Sequence, residues 1–145
     1  MSLDIVYDVD GSIAQWTANL LPDFSNVSQS LTFGIFKEKK LIAGSIYNNY
    51  HPGVDIQWTL ASISPAWCSR RVLKEILGYP FFMMGDGKNV KRISTVTSCA
   101  NDRSLDAQRR VGFVREGILR DGLCSGDAII ASLTKNEYLE RYMYV

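Results

Sequence analysis

Residues 94–138, STVTSCANDRSLDAQRRVGFVREGILRDGLCSGDAIIASLTKNEY, constrain the fold of this chain more than any other stretch. A β-branched run ending in small polar residues predicts a strand over 92–98. The charged segment after Asn101 predicts a helix over 102–111. Gly112-Phe113 then opens a strand over 113–119, and Asp127 introduces another over 128–133. A strand, a helix and two further strands in that order belong to a sheet with helices packed on it.

The chain ahead of this block reads as a meander followed by a helix. Ile13, Trp16, Leu20 and Leu21 fall at helical spacing behind Asp10 or Ser12 as a cap, predicting a helix over 10–21. A polar connection follows over 22–30. Strands are expected over 31–36 and 41–50, joined by the turn Lys37-Glu38-Lys39-Lys40, and over 54–63 after His51-Pro52-Gly53. Ser64-Pro65 ends this meander. Val72, Leu73, Ile76, Leu77 and Tyr79 give a helix over 69–84 its apolar side, and Pro80 is expected to kink or end it near Tyr79. A short helix is expected over 135–142. The fold class is α/β, a mixed central sheet flanked by helices in one domain over 1–145.

Composition narrows the class. At 46% apolar and 21% charged the chain has the make-up of a soluble globular domain. No apolar run approaches the roughly 20 residues that span a bilayer. The N-terminal MSLDIVYDVDG carries acids where a secretory leader carries bases. Cys68, Cys99 and Cys124 are odd in number and widely spaced. They form neither a zinc pattern nor a disulfide framework, so no metal is expected and the cytoplasm is the expected compartment. The net charge of +1 conceals an asymmetry, because residues 70–120 hold eleven Lys/Arg against five Asp/Glu. Such a segment suits a polyanion, either a phosphorylated cofactor or nucleic acid, or is a set of solvated helix faces.

The C-terminal block resembles the GNAT acyltransferase superfamily, in the branch that acetylates protein N-termini and aminoglycosides. That branch reads N-x-x-S, then GF-x-x-EG-x-x-R, then D-x-x-x-x-S-L. Here Asn101, Ser104, Gly112, Phe113, Glu116, Gly117, Arg120, Asp127, Ser132 and Leu133 stand at those places. The order of elements matches the superfamily from about Leu31 to Tyr138. The segment from YNNYHPGVDIQWTLAS onward also resembles small GNAT-like proteins of tailed bacteriophages, which implies a phage protein working in a host cytoplasm.

The resemblance implies acetyl-CoA as co-substrate and an amine as acceptor. Its pyrophosphate would lie at a helix start, where free amides and the dipole favour an anion. The glycine-rich loop of the family is replaced here by Pro65-Ala66-Trp67-Cys68-Ser69-Arg70-Arg71-Val72. Ser69 then serves as cap, and Arg70 and Arg71 either grip the phosphates in place of glycine amides or are surface residues. A bulged fourth strand in the family supplies an oxyanion donor, which places that role near Ala61 and Ser62. Asn101, with Ser104, touches the pantetheine arm or caps the following helix.

Gln108 occupies the position of the tyrosine that many relatives use as general acid, and an amide has no proton to give. Asp55 stands where relatives carry a carboxylate and is the first candidate for the base. His51, the chain's one histidine, is the second, as either a base or a turn residue. Tyr47, Tyr50, Trp58 and Trp67 belong to the core or line an acceptor pocket. Two functions stay open: an acyl-CoA-dependent N-acyltransferase acting on a peptide, small molecule or nucleobase amine, and a non-catalytic module binding nucleic acid or a protein. A homodimer also stays open.

Overall fold

The structure, a computed structural model, describes residues 2–21 and 30–144. The polar connection expected after the first helix lies almost wholly outside them. Seven strands form one sheet in the order β1-β2-β3-β4-β5-β7-β6. They are β1 (Leu3–Tyr7), β2 (Leu31–Lys37), β3 (Lys40–His51), β4 (Asp55–Ser62), β5 (Arg92–Ser98), β6 (Val114–Leu123) and β7 (Gly126–Thr134). All neighbours are antiparallel except β4 and β5. The helices are α1 (Ser12–Ala18), α2 (Arg70–Phe82), α3 (Asp102–Val111) and α4 (Lys135–Tyr138), which continues as a π turn over Leu139–Met143. Among the described residues no helix is long and apolar enough to cross a membrane.

Each strand of the expected meander and of the C-terminal block is present, within a few residues of its expected ends. β1 was not expected. Its five residues pair with β2 from Leu3↔Lys37 to Tyr7↔Phe33, and it buries little. α1 is shorter than expected because the chain leaves helical hydrogen bonding after Ala18.

The two faces of the sheet differ. One carries the core: Val72, Leu73, Ile76, Leu77 and Phe81 of α2 join Tyr47, Trp58, Ile93, Phe113, Leu133 and Tyr138 in a single buried cluster. Trp58 stacks on Phe113 with centroids 5.5 Å apart, and its indole N–H donates to Ser45 Oγ at 2.7 Å. Tyr47, Trp58 and Trp67 are therefore core residues. Tyr50 donates to the Lys88 carbonyl at 2.6 Å and to Asp86, tying β3 to the loop before β5. On the other face α1 lies over β2, β3 and β4. It packs so closely that a Cβ on Gly44 would sit 1.6 Å from Thr17 Oγ1, so only glycine fits there.

Pro80 does not end α2, which runs two residues further. A proline at 80 removes the amide that would bond the Ile76 carbonyl. The Tyr47 hydroxyl, from β3, donates to that same carbonyl at 2.7 Å. The helix survives because a strand side chain supplies the missing donor, and burial pushes the Tyr47 phenol well above its ordinary value. Tyr47→Phe leaves Ile76 C=O buried without a donor and is expected to cost about 1–3 kcal/mol. In a Pro80→Ala background the restored amide should reduce that cost, and a double-mutant cycle by urea unfolding measures the difference.

Candidate active site

β4 and β5 are held together over three residues only, Asp55↔Arg92, Ile56↔Ile93 and Gln57↔Ser94. β4 nevertheless runs on to Ser62 along β3, and β5 to Ser98 along β7. The sheet splits at the one pair that is parallel among the described residues, opening toward the C-terminal ends of both strands. Ligands of α/β sheets gather at such a place.

The split exposes backbone donors. Ile63 N–H donates to Ile42 O at 2.9 Å, and the β3–β4 register runs without a shift from Ala43↔Ser62 to Asn48↔Gln57. Antiparallel alternation then points the amide of Ala61 at β3, and those of Leu60 and Ser62 into the gap. The bulge expected in the fourth strand near Ala61-Ser62 is not there. The irregularity lies in β3 between Asn48 and His51, where Asn49 takes a positive φ of 51° that asparagine tolerates.

Beyond β4, Ser64 accepts from the Ala66 amide and shapes a 3₁₀ turn over Pro65–Trp67, whose Trp67 is buried. Ser69 caps α2, its hydroxyl accepting from Val72 N–H at 3.2 Å. The first two amides of the helix, those of Arg70 and Arg71, find no partner among the described residues. The two guanidiniums turn away from each other. Arg70 donates to the Arg141 carbonyl at 2.9 Å and lies over the Tyr142 ring, while Arg71 pairs with Glu75 and reaches the Leu3 carbonyl. Their side chains do not converge on one anion site.

On the sheet face away from α2, Asp55, Arg92 and Glu116 form a chain of charges across β4, β5 and β6. Arg92 Nε donates to Asp55 Oδ1 at 3.3 Å, and its two terminal nitrogens donate to Glu116 at 2.6 and 3.2 Å. Ser94 Oγ donates to Asp55 Oδ2 at 3.0 Å. Hydrogen bonding from Arg92 holds the Glu116 carboxyl below its ordinary 4.5 despite an opposing desolvation, and bonding to Glu116 raises Arg92 in turn. His51 is the ladder partner of Asp55, so the two base candidates stand side by side at the closed end of the split.

Residues on the far side of the split have structural partners. Asn101 accepts from Ser104 N–H at 3.1 Å, which makes it the cap of α3. Gln108 accepts from Thr95 at 2.8 Å and donates to Thr97 at 2.6 Å and to Ser104 Oγ at 3.3 Å. Its amide ties α3 to β5. Sequence pattern gave no sign of this network or of the role of Arg92, since both depend on which residues the register places opposite one another.

No protein-family model matches this sequence, and no curated protein matches it. Solved structures do. A spermidine/spermine N-acetyltransferase from Vibrio cholerae superposes with a TM-score of 0.75 at 16% identity, over 97% of this chain and 99% of that one. A second form of that enzyme, in complex with manganese ions, gives 0.74 at 16% identity over 96% of each chain. A ribosomal-protein-S5-alanine acetyltransferase from Vibrio fischeri gives 0.60 at 20% identity, over 75% of this chain and 63% of that one. The fold is that of the GNAT acetyltransferases, a seven-stranded mixed sheet flanked by helices.

Two outcomes follow from the geometry. Gln108→Ala strands the Thr95 and Thr97 hydroxyls and is expected to cost about 1–3 kcal/mol in chemical denaturation. The depressed Glu116 carboxyl contributes stability that is present above 4.5 and is lost as pH falls through its lower folded value. With a partly exposed pair that share is about 1 kcal/mol or less. Glu116→Gln should lack this part of the acid loss when melting is followed from neutral pH downward.

Proposed function

We propose that this chain is an acyl-CoA-dependent N-acetyltransferase that moves an acetyl group from acetyl-CoA to an amine. The observation that carries the reading is the split between β4 and β5, lined by the free amides of Leu60 and Ser62 and followed by the open first turn of α2. The likeness to solved N-acetyltransferases supports it at the level of fold. The likeness of the stretch after Tyr47 to small phage proteins supports a phage protein in a host cytoplasm.

The residues present fit acetyl-CoA, although the loop before α2 has no glycine. The amides of Arg70 and Arg71 remain open at the start of a 13-residue helix, where the dipole favours phosphate oxygens. We assign the pyrophosphate to these amides beside the Ser69 cap, with the guanidiniums adding only general positive charge. The co-substrate supplies an activated thioester. The Leu60 amide, the gap-facing donor nearer the closed end, would donate to its carbonyl oxygen as charge develops there, whereas that of Ser62 lies about 7 Å further along the strand.

In the reaction the amine nitrogen bonds to the carbonyl carbon and the carbon–sulfur bond breaks. The amine proton leaves toward Asp55 through a chain of water, because Asp55 stands five residues, about 17 Å of strand, before Leu60, and the departing thiolate takes a proton from solvent. Asp55 is held in place by Arg92 and Ser94, and His51 is the neighbouring alternative. Gln108 has no part in proton transfer, because its amide is engaged with Thr95, Thr97 and Ser104.

A ligand that binds only the folded state must raise the melting temperature. Acetyl-CoA is expected to do so; no shift at millimolar acetyl-CoA would promote the reading as a non-catalytic binding module. Asp55→Asn is expected to lower turnover by about 10²–10⁴-fold while acetyl-CoA affinity stays nearly unchanged. Equal turnover by the variant would pass the role of base to His51, tested by His51→Ala.

A further inference from the structure

We propose that the edge strand β6 is the surface through which two copies of this chain pair, antiparallel about a two-fold axis at Ile118. The proposal stands on the sheet alone and not on the acyl-transfer reading. β6 ends the sheet, and the first nine of its ten residues are exposed. Val114, Ile118 and Leu119 are apolar all the same, and Ile118 keeps 65% of its surface exposed. An edge strand of this kind is a template for another strand.

The ladder fixes which backbone groups the edge offers. Cys99 N–H donates to Asp127 O at 3.0 Å and Lys135 N–H to Lys91 O at 2.9 Å, at the two ends of a β5–β7 register that runs without a shift. Alternation then turns the amide and carbonyl of Ile129 toward β5, and those of Ala128 and Ile130 toward β6. Ile118 stands opposite Ile129, so its own N–H and C=O point out of the sheet. Two copies meeting there exchange both bonds across the axis. Bulges ordinarily guard an edge, and β6 has one on either side, but Gly117–Leu119 stay regular between them.

What singles out a second copy over a foreign strand is self-complementarity about Ile118, which a two-fold interface requires. With Ile118 opposite its own counterpart, Leu119 of each copy faces Gly117 of the other, in the closer, non-hydrogen-bonded kind of pair. The space over Gly117 is open, since a Cβ there would meet only Ile130 Cγ2, at 3.9 Å. Leu119 fills that hollow beside the half-buried Ile130. The charges match in the same register. Arg115 stands opposite Ala131, and Asp121 N–H donates to Asp127 Oδ1 at 2.9 Å, so each lies two ladder rows from Ile118, on opposite sides. Neither side chain has a partner among the described residues. The axis brings each Arg115 beside the second copy's Asp121, about 7 Å from the centre.

Sedimentation velocity of the whole chain from about 1 to 100 µM tests the proposal and is expected to show a dimer. Ile118→Pro removes an amide that points out of the edge, as proline in an edge strand can, and should raise the dissociation constant about tenfold or more. Gly117→Val is the second variant should the first fail to fold. Gly117 has no positive φ and has room for the side chain within one copy, so the fold should hold while the hollow for Leu119 is filled. It should weaken the dimer by a similar factor. A chain that stays monomeric at the highest concentration would overturn the proposal and leave the edge to a foreign strand. So would a dimer as tight in the folded variants as in the wild type, since its contact would then lie elsewhere.

Discussion

The three-residue contact between β4 and β5 is the constraint around which this molecule is arranged. A parallel pair that short supplies few ladder bonds, yet it joins a four-stranded half to a three-stranded half. Side chains supply what the ladder does not. Arg92 bridges to Asp55 on one half and to Glu116 on the other, at the closed end of the split. On the opposite face α2 lies across the junction, its Ile76 and Leu77 in the same cluster as Tyr47 and Ile93. The sheet stays parted on one side of that contact because it is fastened on the other.

The start of α2 shows how a site survives a change in its usual residues. Glycines in such loops let the backbone approach an anion, but the donors are amides, and any residue carries one. Here a 3₁₀ turn and the Ser69 cap set the first turn, and Arg70 and Arg71 contribute backbone N–H groups while their guanidiniums fasten the helix to β1 and to the C-terminal segment. A sequence shows the arginines and not the direction they face. Phosphate grip and surface placement therefore both fit the residue types alone.

Legibility followed the range of the interactions. The β5-α3-β6-β7 block was readable because its signals are local: β-branched alternation, Asn101 as a cap, and turn residues between strands. β1 was not, since Leu3–Tyr7 is a short edge strand with acids beside it and only pairing with β2 makes it a strand. Pro80 was legible only as a choice between a kink and an end, and what lets α2 run on is a tyrosine 33 positions earlier in the sequence. The bulge misplaced to β4 lies in β3, where Asn49 accepts a left-handed backbone. Of the site, Asp55, His51 and Ser69 were visible as residue types. Arg92, the gap-facing amides of Leu60 and Ser62, and the structural use of Gln108 were not, because all three depend on register.

The same dependence on register separates fold from chemistry at the row that Ser94 and Ser132 share. Ser94 and Ser132 are among the most buried residues of β5 and β7, at 5% and 3% exposure, in strand positions where valine has the higher propensity. Thr95 and Thr97 on the opposite face are also polar and buried, but Gln108 engages both and the network is closed. The row on the other face is open: Ser94 and Ser132 serve carboxylates that remain partly exposed, and Asn48 Oδ1 has no donor. A closed polar network rigidifies a core, whereas an open one costs stability until something completes it. Where local stability and sequence pattern disagree in this way, function is the usual reason, and here the disagreement lies on the face that carries Asp55.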